Sequence, residues 1–322
     1  MSQNAAAPAP LTIQKISSEY TRSDMFAAWK ARWGINRAAW RVKPGLYALG
    51  SPSADSSVFA SANYTLSFNE LRKSLKGLDA WILVLDTKGI NVWCAAGKGT
   101  FGTMELTRSI MESGLDKIVK NKTIILPQLG APGVAAHRVK VYTGFSVVYG
   151  PVRAEDIKDF LSLRGKAAPG MREVKFGFPE RIILAPIELV YFGKYLLPAA
   201  AILYGLGLKT DALLTLATLL AGTILVPALL PLLPGRSFSV KGAVAGAAAL
   251  AAVYPLLNLD AYQSAARALF YLPLASFMGM EFTGASTYTS LSGVKKEMRL
   301  ALPAQALALL SGIAMLIAGR FI

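Results

Sequence analysis

Residues 89–103 read Gly89-Ile90-Asn91-Val92-Trp93-Cys94-Ala95-Ala96-Gly97-Lys98-Gly99-Thr100-Phe101-Gly102-Thr103 and hold the single cysteine of the 322-residue chain. An apolar run over 81–85 leads in and ends on Asp86-Thr87-Lys88-Gly89, a turn sequence with glycine in its last place. Residues 90–93 are expected to pair back as a second short strand, and Asn91 or a neighbour to cap the helix that follows. Cys94 then stands near a helix N-terminus, where the positive end of the dipole favours negative charge. Ala95, Ala96, Gly97 and Gly99 carry little bulk, so a large flat body has room against that turn. A thiolate on such a surface suits a soft metal held in a bulky cofactor. The plainer alternative is a cysteine that serves as a small buried hydrophobe.

Two nucleotide-binding readings of the same stretch fail. Residues 97–102 fit G-x-G-x-x-G, but the first glycine falls well past the end of the 81–85 strand. The next expected strand, 123–126, offers no acidic residue for a ribose. A phosphate-binding loop needs glycine where Val92 stands and Ser or Thr where Gly99 follows Lys98.

Outward from this stretch, short apolar runs alternate with helical patterns. Strands are expected at 45–49, 58–64, 81–86, 123–126 and 145–149. Helices are expected at 25–33, 68–75 with Ser67 as N-cap, 104–111, 134–141 and 154–163. Such alternation implies an α/β fold, a mainly parallel sheet with helices on its faces. Ligands collect beyond the carboxyl ends of parallel strands. The Cys94 turn falls there, as do Gly130 with Gly133 and Gly150 with Pro151, whose backbones could approach a flat macrocycle or serve ordinary turns. The aromatic and basic stretch 20–40 is read as packing, and residues 1–10, rich in Ala and Pro, as disordered.

The octapeptide Asn91-Val92-Trp93-Cys94-Ala95-Ala96-Gly97-Lys98 resembles the signature of the corrinoid proteins of microbial mercury methylation, the HgcA family. The similarity covers about residues 58–165, including Leu126-Pro127-Gln128-Leu129-Gly130-Ala131-Pro132-Gly133 and Tyr149-Gly150-Pro151-Val152-Arg153-Ala154. The same block resembles the corrinoid-binding domain of the corrinoid iron–sulfur protein. The resemblance implies a Rossmann-like domain holding a cobalamin-type corrinoid, with Cys94 as the lower axial ligand of cobalt. By the same likeness, Ser61 stands where the family has a threonine, and Ala154 lines the cavity with it. His137, the only histidine, lacks an Asp-x-His-x-x-Gly setting and reads as a surface or capping residue. Lys98, placed near a helix start, sits against the dipole and calls for a partner.

Composition divides the chain. The hydrophobic fraction is 53% and mean hydropathy +0.43, which leans towards membrane. Net charge is +15; residues 181–322 hold 10 basic and 5 acidic residues, leaving an excess of +10 in residues 1–180. No basic run interleaved with aromatics points to nucleic acid, and anionic lipid is the simpler partner. Residues 1–165 are read as a cytoplasmic corrinoid-binding domain, 166–180 as a linker, and 181–322 as an all-α transmembrane bundle of about five helices. The apolar segments lie at 186–208, 212–233, 242–258, 267–283 and 300–319, with 181–191 amphipathic enough for the interface. Arg236, Lys241, Lys295, Lys296 and Arg299 fall in connections placed inside, so the chain is expected to cross the inner membrane five times. The bundle reads as an anchor or docking platform rather than a transporter.

The implied activity is transfer of a methyl group from a thiolate-ligated methylcobalt corrinoid to Hg(II). A membrane methyltransferase with another acceptor, or a corrinoid-binding sensor or transport subunit without turnover, are the alternatives. One cysteine cannot hold an iron–sulfur cluster, which needs about four thiolates. The cobalt left oxidised after transfer therefore calls for an external donor, a small ferredoxin with 4Fe–4S clusters (HgcB-like). A methylated folate pathway or methyl donor protein is the expected source of the methyl group.

Overall fold

The computed structural model describes residues 13–36, 39–285 and 290–321. The alanine- and proline-rich start lies outside them. The described residues form two compact units, one drawn from 13–31 and 35–174, the other from 32–34 and 175–321.

The first unit is built on β4 (Ala80–Leu85), six apolar residues that are all buried. A strand apolar on both faces must be covered on both, and this one lies inside a six-stranded sheet. The other strands are β1 (Gln14–Ile16), β2 (Gly45–Leu49), β3 (Val58–Ala62), β5 (Thr123–Leu126) and β6 (Ser146–Tyr149), in the order β1-β2-β4-β3-β5-β6. β4, β3, β5 and β6 are parallel; β2 runs antiparallel to β4 and carries β1 parallel to itself. Side chains alternate between two cores. Val58, Ala60, Ala62, Leu83 and Leu85 face one with Phe101, Leu106 and Phe145; Phe59, Ile82 and Val84 face the other with Phe68 and Leu75.

The helices of this unit are α1 (Arg22–Arg32), α2 (Thr65–Ser74), α3 (Val92–Lys98), α4 (Thr103–Glu112), α5 (Leu115–Ile118), α6 (Ala136–Thr143) and α7 (Ile157–Ser162). Single 3-10 turns at Gln128–Gly133 and Ala154–Asp156 precede α6 and α7. Two expectations are corrected. Residues 90–93 form no returning strand; the turn is held by side chains from β3, and Val92 and Trp93 already belong to α3. α2 begins at Thr65, so Ser67 lies inside it, and the N-cap residue Tyr64 does not cap the helix with its side chain.

The second unit is helical: α8 (Phe178–Ile182), α9 (Ala185–Gly205), α10 (Lys209–Leu220), a π turn at Ala221–Leu225, α11 (Val226–Leu229), α12 (Phe238–Val253), α13 (Ala261–Glu281) and α14 (Leu291–Ala318). Helices stand at all five apolar segments. Four stretches, Phe178–Gly205, Lys209–Leu229, Phe238–Leu256 and Ser292–Ala318, are long and apolar enough to cross a membrane. α13 is 21 residues long but carries Gln263, Arg267 and Glu281. Its polar groups are met inside the unit: the Arg267 guanidinium forks onto Asp211 at 3.0 and 3.1 Å, and the Tyr271 hydroxyl donates to the Asp211 carbonyl. Glycines let α12 and α13 approach closely; a Cβ on Gly279 would fall 2.6 Å from the Gly242 Cα. Residues 181–191 run from the end of α8 into the first turns of α9. Arg181 is buried, donating to the carbonyls of Phe176, Pro227 and Ala228, and so satisfies part of a helix end.

Candidate functional site

The carboxyl ends of β3, β4, β5 and β6 share one edge, and each is followed by a turn: Asn63, Asp86 to Asn91, Pro127 with the 3-10 turn, and Gly150 onward. Asn63 organises the first two. It is 3% exposed, and its Oδ1 accepts from the Thr87 amide, the Thr87 hydroxyl and the Gly89 amide at 3.0, 2.9 and 2.8 Å. Its Nδ2 donates to Asp86. Lys88 and Gly89 both take left-handed backbone, with φ of 60° and 74°. These bonds, rather than a returning strand, satisfy the turn. The Asp86 amide is held in addition by Glu105 of α4, and the Lys88 ammonium beside the Asp86 carboxyl holds it below the ordinary carboxylate range.

The turn delivers the chain to α3. Asn91 has extended backbone and accepts from the Cys94 amide at 2.9 Å, an N-cap bond that fixes the first turn. The seven residues of α3 divide cleanly. Val92, Ala95 and Ala96 are buried in the core, whereas Trp93, Cys94, Gly97 and Lys98 are exposed. Spacings of three and four put Cys94 beside Gly97 and Lys98, and Trp93 beside Gly97. A Cβ on Gly97 would meet nothing within 4 Å, so the surface next to the thiol is open.

Val92, Ala95 and Ala96 therefore shape the helix and present no side chain to that surface. Ala96 is small because Gly133 packs on it; a Cβ there would lie 3.1 Å from the Ala96 Cα and 2.2 Å from the Phe101 carbonyl oxygen. Gly130 is likewise explained by the Phe101 ring, 2.5 Å from where its Cβ would be. Gly150 sits over Ile125 and the Leu126 carbonyl. Ser61 is buried, and its register with Val84 turns it to the face opposite α3, the face on which Ala154 also packs. The fold thus brings the exposed half of α3 together with the 3-10 turn after β5, and sets Ser61 and Ala154 across the sheet. Lys98 ends α3 rather than starting it, so it complements the dipole and needs no partner on that account. His137 is exposed on α6.

Two residues outside the expected set belong to this edge. Asn63 is one. Gln128 is the other: its Oε1 is buried without a hydrogen-bond partner, in the 3-10 turn that packs against α3. Its signal was only a polar residue inside Leu126-Pro127-Gln128-Leu129.

The donor set decides which metal group fits. Among the described residues no group of three or more His, Cys, Asp or Glu could hold an ion. A lone exposed thiol can serve a metal that arrives with its other ligands in place, as in a corrin ring, and the open face at Gly97 accommodates a flat body. The amide arms around a corrin supply N–H donors of the kind the Gln128 oxygen lacks. The residues fit the group.

Part of the chain is similar to known proteins. Residues 34–161 match the family described as CO dehydrogenase/acetyl-CoA synthase delta subunit. The acetyl-CoA decarbonylase/synthase complex subunit gamma of Archaeoglobus fulgidus is 30% identical over 127 residues, 39% of this chain and 27% of its own length. The subunit of the same name from Methanothermobacter thermautotrophicus is 33% identical over 122 residues, 37% of this chain and 26% of its own. The corrinoid/iron-sulfur protein large subunit of Moorella thermoacetica is 28% identical over 122 residues, 37% of this chain and 27% of its own. The chain spans about a quarter of the length of these relatives. The first unit of this chain is thus related to a corrinoid-protein domain, here joined to helices long and apolar enough to cross a membrane.

Proposed function

We propose that the chain is a membrane-anchored corrinoid methyltransferase of the mercury-methylating type, in which Cys94 would ligate the cobalt and Hg(II) would be the methyl acceptor. The observation that carries the reading is the lone, exposed Cys94 beside the open face of Gly97, in a segment related to corrinoid proteins. When bound, the corrinoid supplies the cobalt chemistry by which a methyl group is carried and passed to a soft electrophile. The chain's own residues do the rest. Cys94 would hold the cobalt as a thiolate, so its Sγ proton would pass to solvent when the cofactor binds. Asn91 holds the Cys94 backbone in place, Trp93 offers a flat apolar wall, and Gly97 keeps the approach clear. Gln128 would offer its buried Oε1 to an amide arm, and Lys98 at the end of α3 faces solvent, where it can meet a carboxylate or phosphate.

The second unit anchors the first at the inner membrane with residues 1–165 cytoplasmic, supported by the cations of Arg236, Lys295, Lys296 and Arg299. A small 4Fe–4S ferredoxin returns electrons, and the +10 excess of residues 1–180 favours an acidic partner. Full-length protein given methylcobalamin and Hg(II) is expected to form methylmercury. Sustained turnover from a methylated folate source is expected only with the ferredoxin and to fall with added salt. Corrinoid binding without methylmercury would sink the methyltransferase reading and leave a sensor or carrier.

A further inference from the structure

The aromatic and basic stretch near the start of the chain packs through one side of α1 and leaves the other side exposed. α1 is fixed from one side: Ala28 and Ala31 are buried, and Asp24 pairs with Arg72 at 2.6 Å. Thr21 and Asp24 close the first turn through reciprocal bonds at 2.8 and 3.2 Å. The opposite side carries Met25, Phe26 and Trp29, exposed by 58, 66 and 50%. Arg22, Lys30 and Arg32 are exposed around them, while the one acid of the helix, Asp24, is engaged with Arg72. Large apolar side chains ringed by cations match a lipid surface with anionic headgroups. The chain then runs into the second unit: Arg32–Gly34 belong to it, and a Cβ on Gly34 would lie 3.2 Å from Ile187, near the start of α9.

The geometry points to α1 as an interfacial helix that lies on an anionic membrane surface, with Met25, Phe26 and Trp29 entering the headgroup layer. This rests on the reading that the second unit spans a membrane. The helix is about 16 Å long by its rise, enough for one apolar face to lie flat.

The test uses full-length protein with Cys94→Ala, carrying one cysteine at a time, labelled with a fluorophore and placed in nanodiscs of phosphatidylglycerol and phosphatidylcholine doped with doxyl lipids. Three positions are compared: Phe26→Cys, Leu310→Cys on the exposed side of α14, and Met111→Cys on the exposed side of α4. Quenching at 26 and 310 but not at 111 is expected. Reversing Arg22 and Lys30 to Glu should lower the docking equilibrium at 26 by about tenfold or more, and omission of phosphatidylglycerol should act in the same direction. No quenching at 310 would overturn the membrane reading on which the proposal stands. Quenching at 310 with none at 26 would overturn the proposal itself, and a blue-shifted, unquenched label at 26 would assign α1 to a protein partner instead.

Discussion

At the scale of residues, small side chains near Cys94 have two different causes, and substitution separates them. Gly97 is small towards open space; Gly130 and Gly133 are small because Phe101 and Ala96 fill the room. Gly97→Ala is expected to leave stability unchanged or raise it by about 0.5–1 kcal/mol, since alanine is the better helix former. The same change should weaken corrinoid binding by about tenfold, because a methyl then stands beside the thiol. Gly130→Ala is expected to cost about 1–3 kcal/mol through overpacking on a buried ring. Thermal unfolding and a corrinoid titration on both variants check the pair. Cys94 and its cap were legible in sequence because the cap bond spans three residues. The reason for Gly130 was not, since its ring partner lies 29 positions earlier in the chain. Nor was the inward turn of Val92, Ala95 and Ala96 legible, because a seven-residue helix is too short to show a period.

At the scale of elements, the decisive device is the turn between β4 and α3, and Asn63 holds it from another strand. Asn63→Ala takes the acceptor from the Gly89 amide, while the Thr87 amide and hydroxyl keep the Leu85 and Ile90 carbonyls, at a cost of about 1–3 kcal/mol. Corrinoid binding should fall with it, and restoring the stability with an osmolyte should not restore full affinity. The hairpin expected at 90–93 failed for the same reason: a partner 24–26 residues away satisfied the turn, and no local pattern announces that. Acid should act on these joints. The hydrogen bond from Lys88 is the largest cause that lowers Asp86. For Asp24, burial opposes but the bonds from Arg72 and Thr21 together prevail. Both folded carboxyls lie below the ordinary 3.8, so their stabilisation is present above that value and lost as pH falls through the folded values. Unfolding followed against pH should show this loss, and Asp86→Asn should remove part of it.

At the scale of the molecule, the parallel sheet was legible because its strands are short apolar runs spaced by helices, and the apolar second half because composition alone betrays it. The number of spans was not settled by composition. α13 is more polar than its neighbours, yet it is buried along much of its length and its Arg267 is met by Asp211. α1 packs as expected through Ala28, Ala31 and Asp24, but Met25, Phe26 and Trp29 on its other side stay exposed. The account stands or falls on the joining of one thiol to cobalt. The most direct measurement is X-ray absorption at the cobalt edge of full-length protein loaded with corrinoid, wild type against Cys94→Ala. Cys94 is exposed, so the variant should keep its stability within about 0.5 kcal/mol. The account predicts a sulfur neighbour of cobalt in the wild type, its loss in Cys94→Ala, and no methylmercury formed by the variant. The same cobalt environment in both proteins, or wild-type methyl transfer by Cys94→Ala, would contradict it.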